Sequence, residues 1–498
     1  MASKRSKKYV SFGFMGDLHA LLDEYARKTS AQHKAAVLLF LLLGIGLRAV
    51  LLGRPIQTGE AELYIDFARL PLSELLVATN ASGNSVFHSL LTKLSTGLFG
   101  VGVVQLRLPN FIAGVLCLPL IYIFTRSMFN RYIALTTLAL VACSGPLIGI
   151  GSIAVGFGIC GAIFTLSLVL GRHFIKSNDL TSGILIALVN AIGLWTMPAH
   201  SYAALAVFLW ILISLLMGYT TSIRERIIRL VFVFLVFLAF AFLLYAPMMQ
   251  AHGFDQVIDH HSRPRLDWRT FDQKHTDMAF ALWALVENGT SGTIIFFGLI
   301  GLVYAAFVSS KLRTLLFSLF ASGVILCLFM RRIEPVGVWG FTFYIFHISS
   351  GLGLFYFLKF LQEKAFPTWD KGPRTFLASL VLGLLLIWTG FGYWWGYTVG
   401  LPQADKVAAY VRDNLAPGDK LYVQHPWDAS IHFALLAADV DESVLFGDPD
   451  RGKAYVLCGS RPVQTVEGVL STHGQDPAQA SSMRMVQEWP ELKIFAAP

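Results

Sequence analysis

Repeated apolar runs leave this chain few ways to fold. A bilayer's hydrocarbon core is crossed by helices of roughly 17–25 apolar residues, whose backbone groups must be satisfied within the segment. Runs of that kind fall at 34–52, 107–125, 132–150, 154–172, 180–197, 200–217, 228–249, 292–310, 314–330, 339–359 and 375–396. They predict a polytopic α-helical membrane protein with about 11 transmembrane helices. Charge agrees: 14% of the 498 residues are Asp, Glu, Lys or Arg, against roughly 25% in soluble domains.

Basic residues orient such a bundle. With the N-terminus in the cytoplasm, the inner loops hold Arg126 and Arg131, Arg172 and Lys176, Arg224, Arg226 and Arg229, Lys311 and Arg313, and Lys359, Lys364, Lys371 and Arg374. Arg331 and Arg332, next to Glu334, fall outside instead. A basic pair there suits substrate charge, or else a pair snorkelling at a helix end. This topology makes 1–33 a cytoplasmic segment, 34–400 the transmembrane domain and 401–498 an extracytoplasmic domain. The net charge of +8 comes from MASKRSKK and these short loops, a topological pattern rather than a nucleic-acid footprint. MASKRSKK is followed by a polar, helix-compatible stretch, so no cleavable signal peptide is expected. Cys117, Cys143, Cys160 and Cys327 lie in apolar runs and Cys458 stands alone. No disulfide framework and no Cys-x-x-Cys metal or redox pair follow from that spacing.

The most informative stretch is the outer loop 53–106. It begins GRPIQTGEAELYIDFAR, turns at NASGNS, and continues VFHSLLTKLSTGLFG into LRLPN. Glu60, Glu62 and Asp66 crowd its start, with Arg54, His88, Lys93 and Arg107 around them. Residues 86–100 are too short and polar to span, so a helix lying in the interface is expected. His200 follows Pro198 at a predicted outer turn. His347 is a costly polar group within a span. The 250–290 segment, rich in His, Asp and Arg, is expected to be an ordered outer loop. Its adjacent His260 and His261, with Asp259, have poor spacing for zinc. Asn80 and Asn288 match the glycosylation pattern, a short motif common by chance. Beyond an aromatic anchor at 393–397, ADKVAAYVRDN reads as an amphipathic helix, with strands at KLYVQ, KAYVLCG and LKIFAAP. A small α/β domain is expected there.

The order of these motifs resembles the GT-C glycosyltransferases, membrane enzymes that use polyprenyl-phosphate sugars. Their relatives include the protein mannosyltransferase and lipid A aminoarabinose transferase families. The family's acidic DEA-type motif corresponds to GEA at 59–61, its amphipathic helix to one ending LFG, and its entry to the second span to LRLP. APGDKLYV resembles the outer domain behind such bundles. The resemblance implies a GT-C-like bundle with outer-face interfacial helices, in a bacterial inner or plasma membrane. The implied partners are a polyprenyl-phosphate sugar, membrane lipid, and a glycan, lipid or protein acceptor; no nucleic acid is expected. Transfer needs a carboxylate as general base or metal ligand, and cations for the leaving phosphate. Glu60 is the first candidate for the acid and Glu62 the second. His88, Lys93, Arg107, His200, Arg331 and Arg332 are the substrate-binding candidates. No metal ligand set is assigned, although a divalent metal remains compatible with the chemistry. Gly59 stands where the family's Asp is usual, and the second outer loop, GPLIGIGSIAVGFG, carries no charge. These departures leave open a catalytically degenerate subunit that binds lipid or a partner. Transport is less favoured, because no half-repeat or matched intramembrane charges appear.

Overall fold

The computed structural model describes residues 29–78, 85–218, 222–254, 265–365, 381–382, 385–386, 401–447, 452–460 and 462–498, with a few positions between 13 and 23. The first helix, α1 (Ala31–Leu52), is capped by the Ser30 hydroxyl, which accepts the His33 N–H. A short helix α2 (Thr58–Leu63) follows, widening into a π turn at Tyr64–Ala68. Next come α3 (Val86–Phe99) and the long α4 (Val103–Met128). Then α5 (Arg131–Cys143), α6 (Gly145–Ile150), α7 (Phe157–Ser177), α8 (Leu180–Thr196) and α9 (Ser201–Leu216) pack together. The membrane part continues through α10 (Ile223–His252), α11 (Trp268–Gly289), α12 (Gly292–Val308), α13 (Ser310–Met330) and α14 (Gly340–Ala365).

Seven described helices are long and apolar enough to cross a membrane, or up to eight if α11 and α12, bent by 120°, form one span. The protein is an integral membrane protein. Each predicted span up to 339–359 falls on helix, but the expected number is not reached by length. At 13 and 17 residues, α5 and α8 are short for a full crossing; 375–396 and the aromatic anchor lie largely or wholly outside the described residues. The outward faces stay apolar: Phe242, Leu243, Phe307, Phe320 and Phe329 are exposed, as lipid contact requires.

Two segments differ from the sequence reading. The run 132–150 is not one helix, because α5 stops at Ser144 and Pro146 starts a new one. Proline cannot continue the helical hydrogen bonds behind it. The freed carbonyls of Val141 and Ala142 accept Arg48 Nη2 and Nη1 at 3.3 and 3.2 Å. That use explains a fully buried arginine inside α1, since unsatisfied backbone groups in hydrocarbon are costly. Part of 250–290 is also regular: α11 is a 22-residue helix, capped by Asp267, which accepts the Arg269 and Thr270 N–H groups. His260, His261 and Asp259 lie outside the described residues, as does Asn80.

Successive long helices alternate in direction, so 53–78, 85–102, 144–156, 197–200, 253–254, 265–291 and 331–339 share one end of the bundle. Cross-contacts join them. His252 Nε2 donates to the Val77 carbonyl at 2.7 Å, and Leu266 N–H to the Arg331 carbonyl at 3.0 Å. On this loop face sits a small α/β unit. Its sheet has the order β1-β2-β4-β3, from β1 (Lys420–Val423), β2 (Ala454–Gly459), β3 (Arg484–Glu488) and β4 (Leu492–Ala496). The first pair is parallel and the others antiparallel. Val407 and Val411 of α15 (Ala404–Asn414) and Ile431 and Leu435 of α16 (Asp428–Ala437) form its core with Leu421, Leu457 and Ile494.

Candidate active site

The loop face is organised around one buried ion pair. Glu60 lies in the first turn of α2 and Arg107 in the first turns of α4; they are 0% and 2% exposed. Arg107 Nε donates to Glu60 Oε1 at 2.8 Å and Nη2 to Oε2 at 2.5 Å. Glu60 Oε1 also accepts the Ala154 N–H at 2.6 Å, and Oε2 the Gln57 N–H at 3.0 Å. An ionised carboxylate has about four acceptor positions, and all are filled. Arg107 is equally committed, its remaining N–H groups donating to the carbonyls of Leu51, Leu52, Arg54 and Pro55. The pair therefore ties the end of α1, the acid-bearing helix, the start of α4 and the 150–156 turn into one unit.

Asn110, one turn further along α4, folds that turn. Its Nδ2 donates to the carbonyls of Ile150 and Ile153 at 2.7 and 2.6 Å, and its Oδ1 accepts the Ile159 N–H. An uncharged second loop can thus complete an acidic site through a backbone N–H, which no side-chain pattern announces.

Glu62 is placed differently. It is half-exposed on the same short helix, and burial, then the nearby Asp66 and Asp428, push its carboxyl above the usual range, against the pull of His425. Asp428 and His425 belong to the C-terminal unit, which docks onto this helix. Thr58 Oγ1 donates to the Pro426 carbonyl at 2.8 Å, the Leu401 N–H reaches the Ile56 carbonyl, and Tyr64 meets Phe433 edge-on at 5.4 Å. Arg69 pairs with Glu442 at 2.6 Å, and Glu442 accepts His432 Nε2 at 2.6 Å. These two contacts hold the Glu442 carboxyl below its ordinary value.

The other predicted residues are spread over the face. Lys93 Nζ donates to the Leu70 carbonyl at 2.6 Å, with Ala68 and Arg69 carbonyls at 3.5 Å, and so closes the π turn. His88 lies fully buried on α3, not on a solvated face. Neither of its ring nitrogens has a hydrogen-bond partner among the described residues, and burial lowers its pKa to about 4. His200 is buried too, with Nε2 3.1 Å from Asn190 Oδ1. Arg331 stands 5.0 Å over the Trp268 ring at the end of α13, with Arg332 beside it. Among the described residues, no group of three or more His, Cys, Asp or Glu side chains is arranged to hold a metal. Glu60 has no acceptor position left for one.

The helical bundle, with its acid-bearing helix and small α/β cap on one face, has a GT-C-like fold, shared with solved structures. ArnT from Cupriavidus metallidurans in the apo state superposes with a TM-score of 0.60 at 14% identity, over 93% of this chain and 98% of that one. The same protein bound to undecaprenyl phosphate gives 0.58 at 13%, over 92% and 97%. The Archaeoglobus fulgidus oligosaccharyltransferase tethered to an acceptor peptide gives 0.54 at 12%, over 93% and 73%. No family model and no curated protein matches the sequence.

Proposed function

We propose that this chain transfers a sugar from a polyprenyl-phosphate donor to a glycan, lipid or protein acceptor at the loop face, which we take as extracytoplasmic. Continuity of the fold carries this reading: it follows ArnT, a protein seen with undecaprenyl phosphate, over 92% of this chain. The archaeal oligosaccharyltransferase, seen with an acceptor peptide, extends the likeness. In the proposed step an acceptor hydroxyl or amine attacks the anomeric carbon, the bond from that carbon to the phosphate oxygen breaks, and polyprenyl phosphate departs. Glu62 takes the acceptor proton. Its raised pKa and partial exposure suit a general base. Arg331 and Arg332 compensate the charge on the leaving phosphate. Glu60, Arg107 and Lys93 are positioning residues that fix the helix carrying Glu62. His88 and His200 line the interior behind the face.

A second reading rests on a specific observation. Gly59 offers no carboxylate, and the adjacent Glu60 is saturated, so a chain of this fold could bind a lipid-linked sugar without transferring it. Open space surrounds Gly59: a Cβ built there meets nothing within 4 Å. The test is transfer of label from a panel of polyprenyl-phosphate sugars into membrane glycans and lipids, using wild type, Glu62→Gln and Gly59→Asp. Transfer by wild type that is lost in Glu62→Gln supports the first reading. Transfer appearing only in Gly59→Asp supports the second.

A further inference from the structure

A small crevice with no role in the chemistry above opens where α5 breaks, α11 bends into α12, and α14 passes. Its polar lining is Ser144, Thr290, Ser291 and His347, and Cys143 and Ile294 form part of its apolar wall. It encloses about 10 Å³, room for one water-sized group. His347 is 1% exposed and bonds Ser144 Oγ through Nε2 at 2.9 Å. Its other nitrogen, Nδ1, is buried without a partner among the described residues, and so is Oγ1 of Thr290, which is 8% exposed. Two unpartnered polar atoms lining one pocket are costly unless something fills it.

The chemistry of the lining selects the ligand. Among the described residues no charged side chain lines the crevice, whose wall also includes Leu386, so none of them compensates a phosphate. Hydroxyls and an imidazole set in an apolar wall instead suit a neutral group that both donates and accepts hydrogen bonds. We propose that the crevice binds one hydroxyl of an uncharged, hydroxyl-rich headgroup, with the ring of that headgroup staying at its mouth beside Ser291. This deepens the transfer reading and rests on it in assigning the headgroup to a lipid-linked sugar.

Binding is tested on the full chain in nanodiscs with n-octyl β-D-glucoside, corrected for uptake by protein-free discs. Octanol and octyl phosphate serve as comparison probes. Glucoside is expected to bind wild type in preference to both, and to weaken by roughly tenfold in His347→Leu and in Thr290→Val. It should also slow maleimide labelling of Ser291→Cys at the mouth. Should His347→Leu not fold, the exposure-neutral Thr290→Val carries the test. Equal glucoside binding in the variants, stronger binding of octyl phosphate, or unchanged Ser291→Cys labelling would each overturn the proposal and leave a crevice filled by water alone. Loss of this binding signal alongside intact sugar transfer would remove the crevice and keep the transfer reading. Binding without transfer would do the reverse.

Discussion

Neutralising Glu60 isolates the energy stored in the loop face. In Glu60→Gln the side chain keeps its size and still accepts the Ala154 or Gln57 N–H, but Arg107 becomes an unpaired charge at 2% exposure. Removing one member of a buried pair costs about 3–5 kcal/mol. Arg107 keeps its bonds to the carbonyls of Leu51, Leu52, Arg54 and Pro55, so the lower end of that range is expected. Arg107→Gln should cost as much or more, because it also strands those carbonyls. The double variant should be destabilised by less than the sum of the two, since neither charge is then left alone. Denaturant midpoints in nanodiscs read all three, with Glu74→Gln, an exposed acid on the same loop, as a control within about 0.5 kcal/mol. A Glu60→Gln protein as stable as the control, or singles that add without coupling, would refute the role of the pair as an anchor.

The remaining predictions concern titration and burial. With His88 held at about 4 against an ordinary 6.5, the unfolded chain takes up a proton first, so stability should fall as pH drops from 6.5 and level off below 4. The loss approaches about 3 kcal/mol, and His88→Phe should abolish it in pH-dependent unfolding. Glu442 is likewise shifted down, below its ordinary 4.5, so its contribution is complete above that value and is lost as pH falls through the lower folded value. Hydrogen exchange of 428–437 should therefore rise in acid, and Glu442→Gln should reproduce the rise at neutral pH; an exposed pair of this kind is worth under about 1 kcal/mol. Arg48→Met leaves the Val141 and Ala142 carbonyls unserved at the break in α5, and a destabilisation of about 2 kcal/mol or more is expected in the same unfolding assay.

Much of this architecture was legible because it rests on local patterns. Apolar runs located the helices, and the acid-bearing loop stood out against them. ADKVAAYVRDN, KLYV, AYVLCG and LKIFA announced α15, β1, β2 and β4 through periodicity. The edge strand β3 did not, since RMVQE is mostly exposed and shows no alternation. Polar residues hid α11 in what read as loop, although Asp267 ahead of the helix was a capping signal. Long-range pairing was hidden altogether. Glu60 looks like a free acid in the sequence because its partners, Arg107 and the Ala154 N–H, lie 47 and 94 residues away. Backbone donors leave no trace in side-chain identity. Arg48 was similarly silent, a lone cation in an apolar run whose use depends on a helix break elsewhere.

The central claim is a division of labour on one short helix: Glu60 holds the site together and Glu62 moves the proton. Sugar transfer from a polyprenyl-phosphate donor, measured per folded molecule for Glu60→Gln and Glu62→Gln, tests it most directly. The account predicts a large loss for Glu62→Gln at wild-type stability, and for Glu60→Gln a loss that follows the folded fraction. Full activity in Glu62→Gln, with activity abolished in folded Glu60→Gln, would contradict it.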